Sequence, residues 1–436
     1  MALADRLSAV QRRLASGVAF NFIAGAAAQG STLIANVILS RHFGRSWFGQ
    51  YSVVQLTLAT IASISLVSMS SVTNKFVAEY RTKDPDLASR AYAFCSRISN
   101  IMGLAGLLLT ALLSNVIATV FLKDSSLGIP LLLGAVFVFA QNRSLFLSAV
   151  LGGLEEYRRY AIAAVIAGAA YLIAVYGGAW LGSLNGAVIG LSVAAIAFWI
   201  CLWIQSQRAF HEHKLFSLAK FEKFEKEMLT QFALPAIAAG YLLLPGNWWL
   251  TGFLYQQAGA QEVAVYSVAT QVRLLLLFLP IVITSVGISV LNHTKGSRDY
   301  ISAHRLTTGT IFAFTVAGLA ITAAIGPFVL SVFGRGYQNG YPVLVVLAAS
   351  TVAEGVASGL RARLNAQKLM WHWLFAVILP WQGSALVASL ILIPRYGALG
   401  AAYSYLVGSV MYVLTSWILC FTARHLEAVD SSVPAS

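Results

Sequence analysis

Twelve long apolar runs dominate this chain, at about 18–40, 48–70, 92–121, 127–151, 160–182 and 184–206, then 230–255, 263–291, 305–333, 340–362, 371–393 and 398–422. A helix needs about 20 apolar residues to cross hydrocarbon, where every backbone N–H and C=O must be satisfied within the segment. Each run is long enough, and none shows the ten-residue alternation of a barrel strand. The runs predict an all-α integral membrane protein of about twelve transmembrane helices. Composition excludes the alternatives. Asp, Glu, Lys and Arg make up 10% of the 436 residues, against roughly 25% in soluble domains. That is too little charge to cover a water-facing surface, so a secreted globule, a cytosolic enzyme and a disordered chain are ruled out.

The net charge of +13 invites a nucleic-acid reading until its placement is considered. With the N-terminus inside, 22 of the 29 Lys and Arg fall on cytoplasmic segments and 5 on the opposite side. Basic loops stay cytoplasmic, so the charge is an orientation signal that puts both termini inside. No nucleic-acid partner is needed to explain it. The first run follows Arg12 and Arg13 but continues to Ser40, too long for the apolar core of a signal peptide.

The chain also resembles itself. Gly44 stands seven residues before Tyr51-Ser52-Val53, and Gly259 seven before Tyr266-Ser267-Val268, an offset of 215. Leu184-Asn185-Gly186-Ala187 matches Ala398-Leu399-Gly400-Ala401 at an offset of 214. An offset spanning an even number of helices keeps the orientation, so the chain reads as two parallel six-helix repeats, expected to enclose a substrate site and rock about it. The expected organisation is a lobe over 1–206, a linker over 207–229, a second lobe over 230–423 and a polar tail over 424–436. Within the linker Phe221, Phe224 and Met228 recur at helical spacing among alternating Lys and Glu, which predicts an amphipathic, lipid-contacting helix. His211-Glu212-His213 lies nearby, but i and i+2 side chains diverge on a helix, so no metal site is read there. Cys95, Cys201 and Cys420 are isolated packing residues.

Catalytic chemistry is not legible. There is no Gly-rich Lys-Ser/Thr loop for nucleotide phosphates, and no outer loop exceeds about ten residues. A transporter rather than an enzyme is the reading, with no bound cofactor. Proton or sodium coupling stays open.

Ionisable groups at membrane depth are costly, about 2.5–3.5 kcal/mol each on insertion scales, and mark functional positions. Three qualify: Arg143, Arg273 and Glu354. Tyr266, Thr270 and Arg273 share one face at i, i+4, i+7. Ser350, Thr351, Glu354, Ser358 and Arg361 form a polar stripe running to the cytoplasmic end, as a water-filled vestibule would require. Arg273 either faces a cavity or makes a structural ion pair, Glu354 either pairs with an Arg or carries a coupling proton, and Arg361 either lines the vestibule or anchors at headgroups. In Gln141-Asn142-Arg143-Ser144 four consecutive polar residues cannot all face one cavity, and Arg143 is also near enough to the cytoplasmic end to snorkel. The first helix carries Asn21, Gly25, Ala28, Thr32 and Asn36 on one face, for close packing or for lining a substrate path. Pro245 and Pro280 are hinge candidates, since an interior proline removes a backbone hydrogen bond and bends a helix.

Two motifs carry a family resemblance. Ser40-Arg41-His42-Phe43-Gly44 with Phe48-Gly49-Gln50-Tyr51, and Tyr396-Gly397-Ala398-Leu399-Gly400-Ala401-Ala402, resemble the recurring R-x-x-G…FG-x-Y and YG-x-x-GAA patterns of the polysaccharide-transport branch of the multidrug/oligosaccharidyl-lipid/polysaccharide exporter superfamily. The resemblance implies a V-shaped flippase-like bundle in a bacterial inner membrane. It would move an undecaprenyl-diphosphate-linked oligosaccharide between leaflets by alternating access, for O-antigen or exopolysaccharide synthesis. Membrane lipids, a polysaccharide polymerase and glycosyltransferases are the implied partners. A cationic cavity is the family's feature, and Arg273, with Arg143 and Arg361, is the matching group here. A drug-exporting relative typically relies on buried acids in helix one or seven, which are missing in this sequence. The cation-coupled exporter is the alternative, with Glu354 as its exchange site.

Overall fold

The computed structural model describes residues 2–81, 83–213, 245–294, 299–366 and 373–430. Its elements are α1 (Ala2–Tyr80), α2 (Pro85–Val116), α3 (Gly128–Leu133), α4 (Ala135–Gly153), α5 (Tyr157–His213), α6 (Pro245–Ala258), α7 (Ala260–Thr294), α8 (Asp299–Phe333), α9 (Tyr341–Ala366), α10 (Leu379–Tyr396) and α11 (Ala398–Asp430). Short π and 3-10 turns complete it, and there is no strand among the described residues. Nine helical stretches among these residues are long and apolar enough to cross a membrane. Two of them, Ala19–Ile64 and Tyr157–Glu212, run to 46 and 56 residues, more than one crossing needs. Each is interrupted, at Gly44 and at Gly182–Ser183 respectively, so each supplies two crossings. The protein is an all-α, multi-pass membrane protein, and its outward residues fit that setting: Leu112, Ile173 and Leu181 are 76%, 75% and 86% exposed, a surface that lipid accepts and water does not. The expected linker helix lies outside the described residues apart from its first turns, where α5 continues unbroken to His213.

The breaks explain why the repeat is visible in sequence. Gly44 and Gly259 both have positive φ, 83° and 80°, a region closed to most L-residues. At the second matched pair Ser183 (φ 56, ψ −134) and Gly397 (φ 55, ψ −128) share one backbone conformation. Three residues beyond, Gly186 and Gly400 abut the backbone of the preceding helical limb at Gly178 and Leu392, where a Cβ would collide. Both corners therefore demand the same residues, and one departs from the rule. Ser183 occupies a conformation that its counterpart fills with glycine, which costs about 1–3 kcal/mol. Ser183→Gly is accordingly expected to stabilise the protein by about 1 kcal/mol, read as a higher unfolding temperature in detergent, whereas Gly397→Ala should lower it.

The chain divides into two compact units, 1–42 with 53–244, and 43–52 with 245–436. In the first unit α4 packs against α2 and α5 over a core that includes Phe76, Phe94, Phe146, Leu147 and Leu202. At its edge Arg81 pairs with Glu155 at 2.6 Å, and Arg159 bridges Glu156 and Glu212 at 3.0 and 2.5 Å. Glu212 of the His-Glu-His run is thus engaged by an arginine. In the second unit α9 packs against α7, α8 and α11, and α10 against α11. Glu262, in the first turn of α7, accepts a 2.9 Å hydrogen bond from the Ala398 N–H and so caps α11. The 43–52 segment joins this unit through Arg45, whose Nη1 donates to the Gly336 carbonyl at 2.8 Å. Phe48 and Tyr51 there are fully buried.

Candidate functional site

Two polar centres emerge, one inside each unit. In the second unit Arg273 lies thirteen residues into α7, about 20 Å along the helix. Its Nη1 donates to Glu354 Oε1 of α9 and to the Tyr405 hydroxyl of α11, both at 2.7 Å. The guanidinium also stacks over the Tyr405 ring at 4.3 Å. Ser409, one turn along α11, is 3.5 Å from the same Glu354 oxygen. The side chains of Arg273 and Glu354 are 7% and 12% exposed. Charge-assisted bonds of this kind are short and strong, but desolvating both ions offsets much of the gain, and Arg273 Nε finds no partner. The arginine that the sequence offers as a cavity cation is neutralised by the acid it offers as a proton carrier. Tyr266, one face with Arg273, is buried, while Thr270 and Ser358 are partly buried. Arg361 is exposed at the far end of the α9 stripe, 5.3 Å above the Trp373 ring.

Arg143 belongs to the first unit and does not join this cluster. The polar turn of α4 splits between two neighbours. Asn142 accepts from Ser99 at 3.1 Å, and Arg143 reaches the Ser96 carbonyl and hydroxyl at 3.3 and 3.4 Å, so both face α2. Gln141 and Ser144, three residues apart on the same helix, face the other way and line a cavity of about 350 Å³. Its further walls include Ser31, Thr32, Gln55, Ser148, Tyr160 and Tyr171, with Phe137 and Phe198 as apolar rings. Gln55 Nε2 donates to the Tyr171 hydroxyl at 3.0 Å and ties two walls together. None of the lining residues is charged.

The hydroxyls set the chemistry. Ser31 and Thr32 donate to the Ala28 carbonyl at 3.0 and 2.9 Å, Ser144 to Ala140 at 2.9 Å and Ser148 to Leu145 at 2.8 Å. Their protons are held within their own helices, so their oxygens remain as acceptors. A second, more open cavity of about 640 Å³ shares Leu145, Ser148 and Tyr160 with the first and adds Asn21, Ser70, Asn74, Lys75 and Tyr157. Of the first-helix stripe, Ala28 and Thr32 line the first cavity and Asn21 the second, while Asn36 is buried with its Oδ1 unpaired. Pro245 opens α6, and α7 continues through Pro280, whose carbonyl accepts from Thr284 at 2.8 Å.

The repeat relates the two centres. At the offset of 214, Tyr405, Ser409 and Tyr412 correspond to Leu191, Ala195 and Phe198, which line the first cavity. At 215, Thr270 and Arg273 correspond to Gln55 and Leu58. Where one unit is filled by an ion pair and two tyrosines, the other carries smaller or uncharged groups and holds a void. Tyr405 and Ser409 escaped notice in the sequence, although their i, i+4, i+7 spacing with Tyr412 was there to be read.

These features define an all-α, multi-pass membrane fold, and solved structures share it. The chain has the fold of the MOP-superfamily transporters. It is similar to an inward-facing multidrug-resistance MATE family transporter of that superfamily, at a TM-score of 0.70 and 15% identity over 95% of this chain and 96% of the other. It is also similar to the lipid II flippase MurJ in an inward closed conformation, at a TM-score of 0.74 and 14% identity over 92% and 87%. A MOP-superfamily transporter from Pyrococcus furiosus, whose binding pocket of reverse polarity suggests a different function, aligns at 0.66 and 14% over 94% of each chain. No protein-family model matches the chain, and no curated protein matches it.

Proposed function

We propose that this protein is a flippase for a polyprenyl-diphosphate-linked oligosaccharide, carrying it from the cytoplasmic to the outer leaflet of a bacterial inner membrane during surface-polysaccharide synthesis. The observation that carries the reading is the uncharged cavity of the first unit. Sugars present many hydroxyl donors and apolar ring faces. Acceptor oxygens on Ser31, Thr32, Ser144 and Ser148 suit the former, and Tyr160, Tyr171 and Phe198 suit the latter, while Gln55 and Gln141 offer both donor and acceptor. Orientation with both termini inside follows from the basic segments. No enzyme activity is assigned; the energy for net movement comes from removal of the cargo by a polymerase or from a coupled ion.

The alternative is a cation-coupled multidrug exporter of the same fold. A buried acid, Glu354, favours it, and its engagement by Arg273 counts against it, because a carboxylate already neutralised is a poor partner for a cationic drug. The two readings separate in a deletion strain. Loss of O-antigen or exopolysaccharide, with unchanged resistance to cationic drugs, is the expected result. Normal surface polysaccharide together with drug hypersensitivity would reverse the assignment.

A further inference from the structure

We propose that the recess around Lys75 is a phosphate-ester subsite which, with the adjoining uncharged cavity, forms one bipartite cargo site. This rests on the flippase reading and adds where each part of the cargo binds. The two cavities share a wall of Leu145, Ser148 and Tyr160, so a single ligand can occupy both. Their chemistry differs across that wall. The inner cavity is uncharged and rich in hydroxyl acceptors, which repel an anion and accept from a sugar. The outer recess adds the Lys75 ammonium, the amides of Asn21 and Asn74 and the Tyr157 hydroxyl. Every one of these can donate a hydrogen bond, one of them with full charge. No carboxylate lines either space.

Lys75 lies five residues before α1 ends at Tyr80, where Arg81 and Arg159 are engaged by Glu155 and by Glu156 and Glu212. The saccharide therefore enters the uncharged cavity and the diphosphate stays at the mouth, beside Lys75. The buried arginines take no part: Arg273 is committed to Glu354, and Arg143 is turned toward Ser96. The ligand class is an isoprenoid diphosphate ester bearing a saccharide. A phospholipid headgroup presents similar phosphate oxygens, and the test must separate the two.

Full-length protein in phosphatidylcholine nanodiscs would be titrated with geranylgeranyl diphosphate, with geranylgeraniol and with phosphatidylglycerol. The diphosphate is expected to bind, and the alcohol only weakly. Lys75→Met should weaken diphosphate binding at least about tenfold, as loss of a charge-assisted contact does, with little change for the alcohol. Lys75→Arg should retain it, and Lys83→Met, removing an exposed lysine beyond the helix, should leave it unaltered. Equal binding by Lys75→Met, equal competition by phosphatidylglycerol, or no diphosphate binding by the wild type would each overturn the inference. The flippase reading fails separately, on intact surface polysaccharide in the deletion strain.

Discussion

Arg273→Ala is expected to cost about 3–5 kcal/mol of stability, because it leaves the Glu354 carboxylate buried without its counter-ion. The readout is a marked fall in unfolding temperature and in yield of monodisperse protein, well before transport is considered. Removing both charges has a different outcome. Arg273→Met combined with Glu354→Met should recover most of the loss, since a buried pair replaced by apolar groups of similar volume is often neutral or stabilising. The unpaired Arg273 Nε strengthens that expectation, as part of the arginine's desolvation is never offset. The double variant also decides what the pair is for. Export by the recovered protein would make it a structural brace, and a folded but inert double variant would place it in the transport cycle. A wild-type unfolding temperature for Arg273→Ala would show that the carboxylate does not depend on this arginine.

On the proposed flippase function, Ala195→Trp is expected to abolish export while the protein stays inserted and folded. Ala195 is 6% exposed and lines the uncharged cavity, so an indole there fills space that the cargo would take rather than space already packed. Ala195→Ser is the matching control, because serine is the residue at the corresponding position of the second unit, Ser409. It should leave export near the wild-type level. The measurement is surface-polysaccharide assembly in a strain complemented with each variant, with the unfolding temperature recorded alongside. Undiminished export from folded Ala195→Trp would remove the cavity from the cargo's path.

The elements of this fold were legible because membrane helices announce themselves by length, and the repeat because its corners admit few residues. Gly44 and Gly259 are matched because both take a positive φ that L side chains rarely adopt, and Gly186 and Gly400 because a backbone contact leaves no room for a Cβ. The centre of the second unit was half legible. Arg273 and Glu354 stand out as charges at depth, but they lie 81 residues apart, and only the packing of α7 on α9 shows that they meet. Tyr405 was missed since a tyrosine in an apolar helix reads as core until an arginine is found beneath it. Of the first unit's cavity the sequence offered only one edge, the first-helix face carrying Ala28 and Thr32, and its volume was not legible. It exists because Ala164, Gly168 and Ala195 are small, and small residues are equally the signature of close helix packing. Missing volume leaves no motif.

The membership of 43–52 in the second unit bears on how the chain is made. These residues are synthesised more than two hundred positions ahead of partners they meet in the second unit: Gly336 for Arg45, and the Ala260 backbone against which Gly49 is pressed. Ribosome-order assembly of two finished halves is therefore not open to this protein. Its first helical pair must wait in the bilayer, partly unsatisfied, for the second half of the chain, and such long-range closure is slow and prone to misassembly. A C-terminal half expressed from 230 onward would lack this piece and leave the Gly336 carbonyl without the Arg45 donor. Split versions of the protein should be cut elsewhere, or supplied with the N-terminal segment in trans.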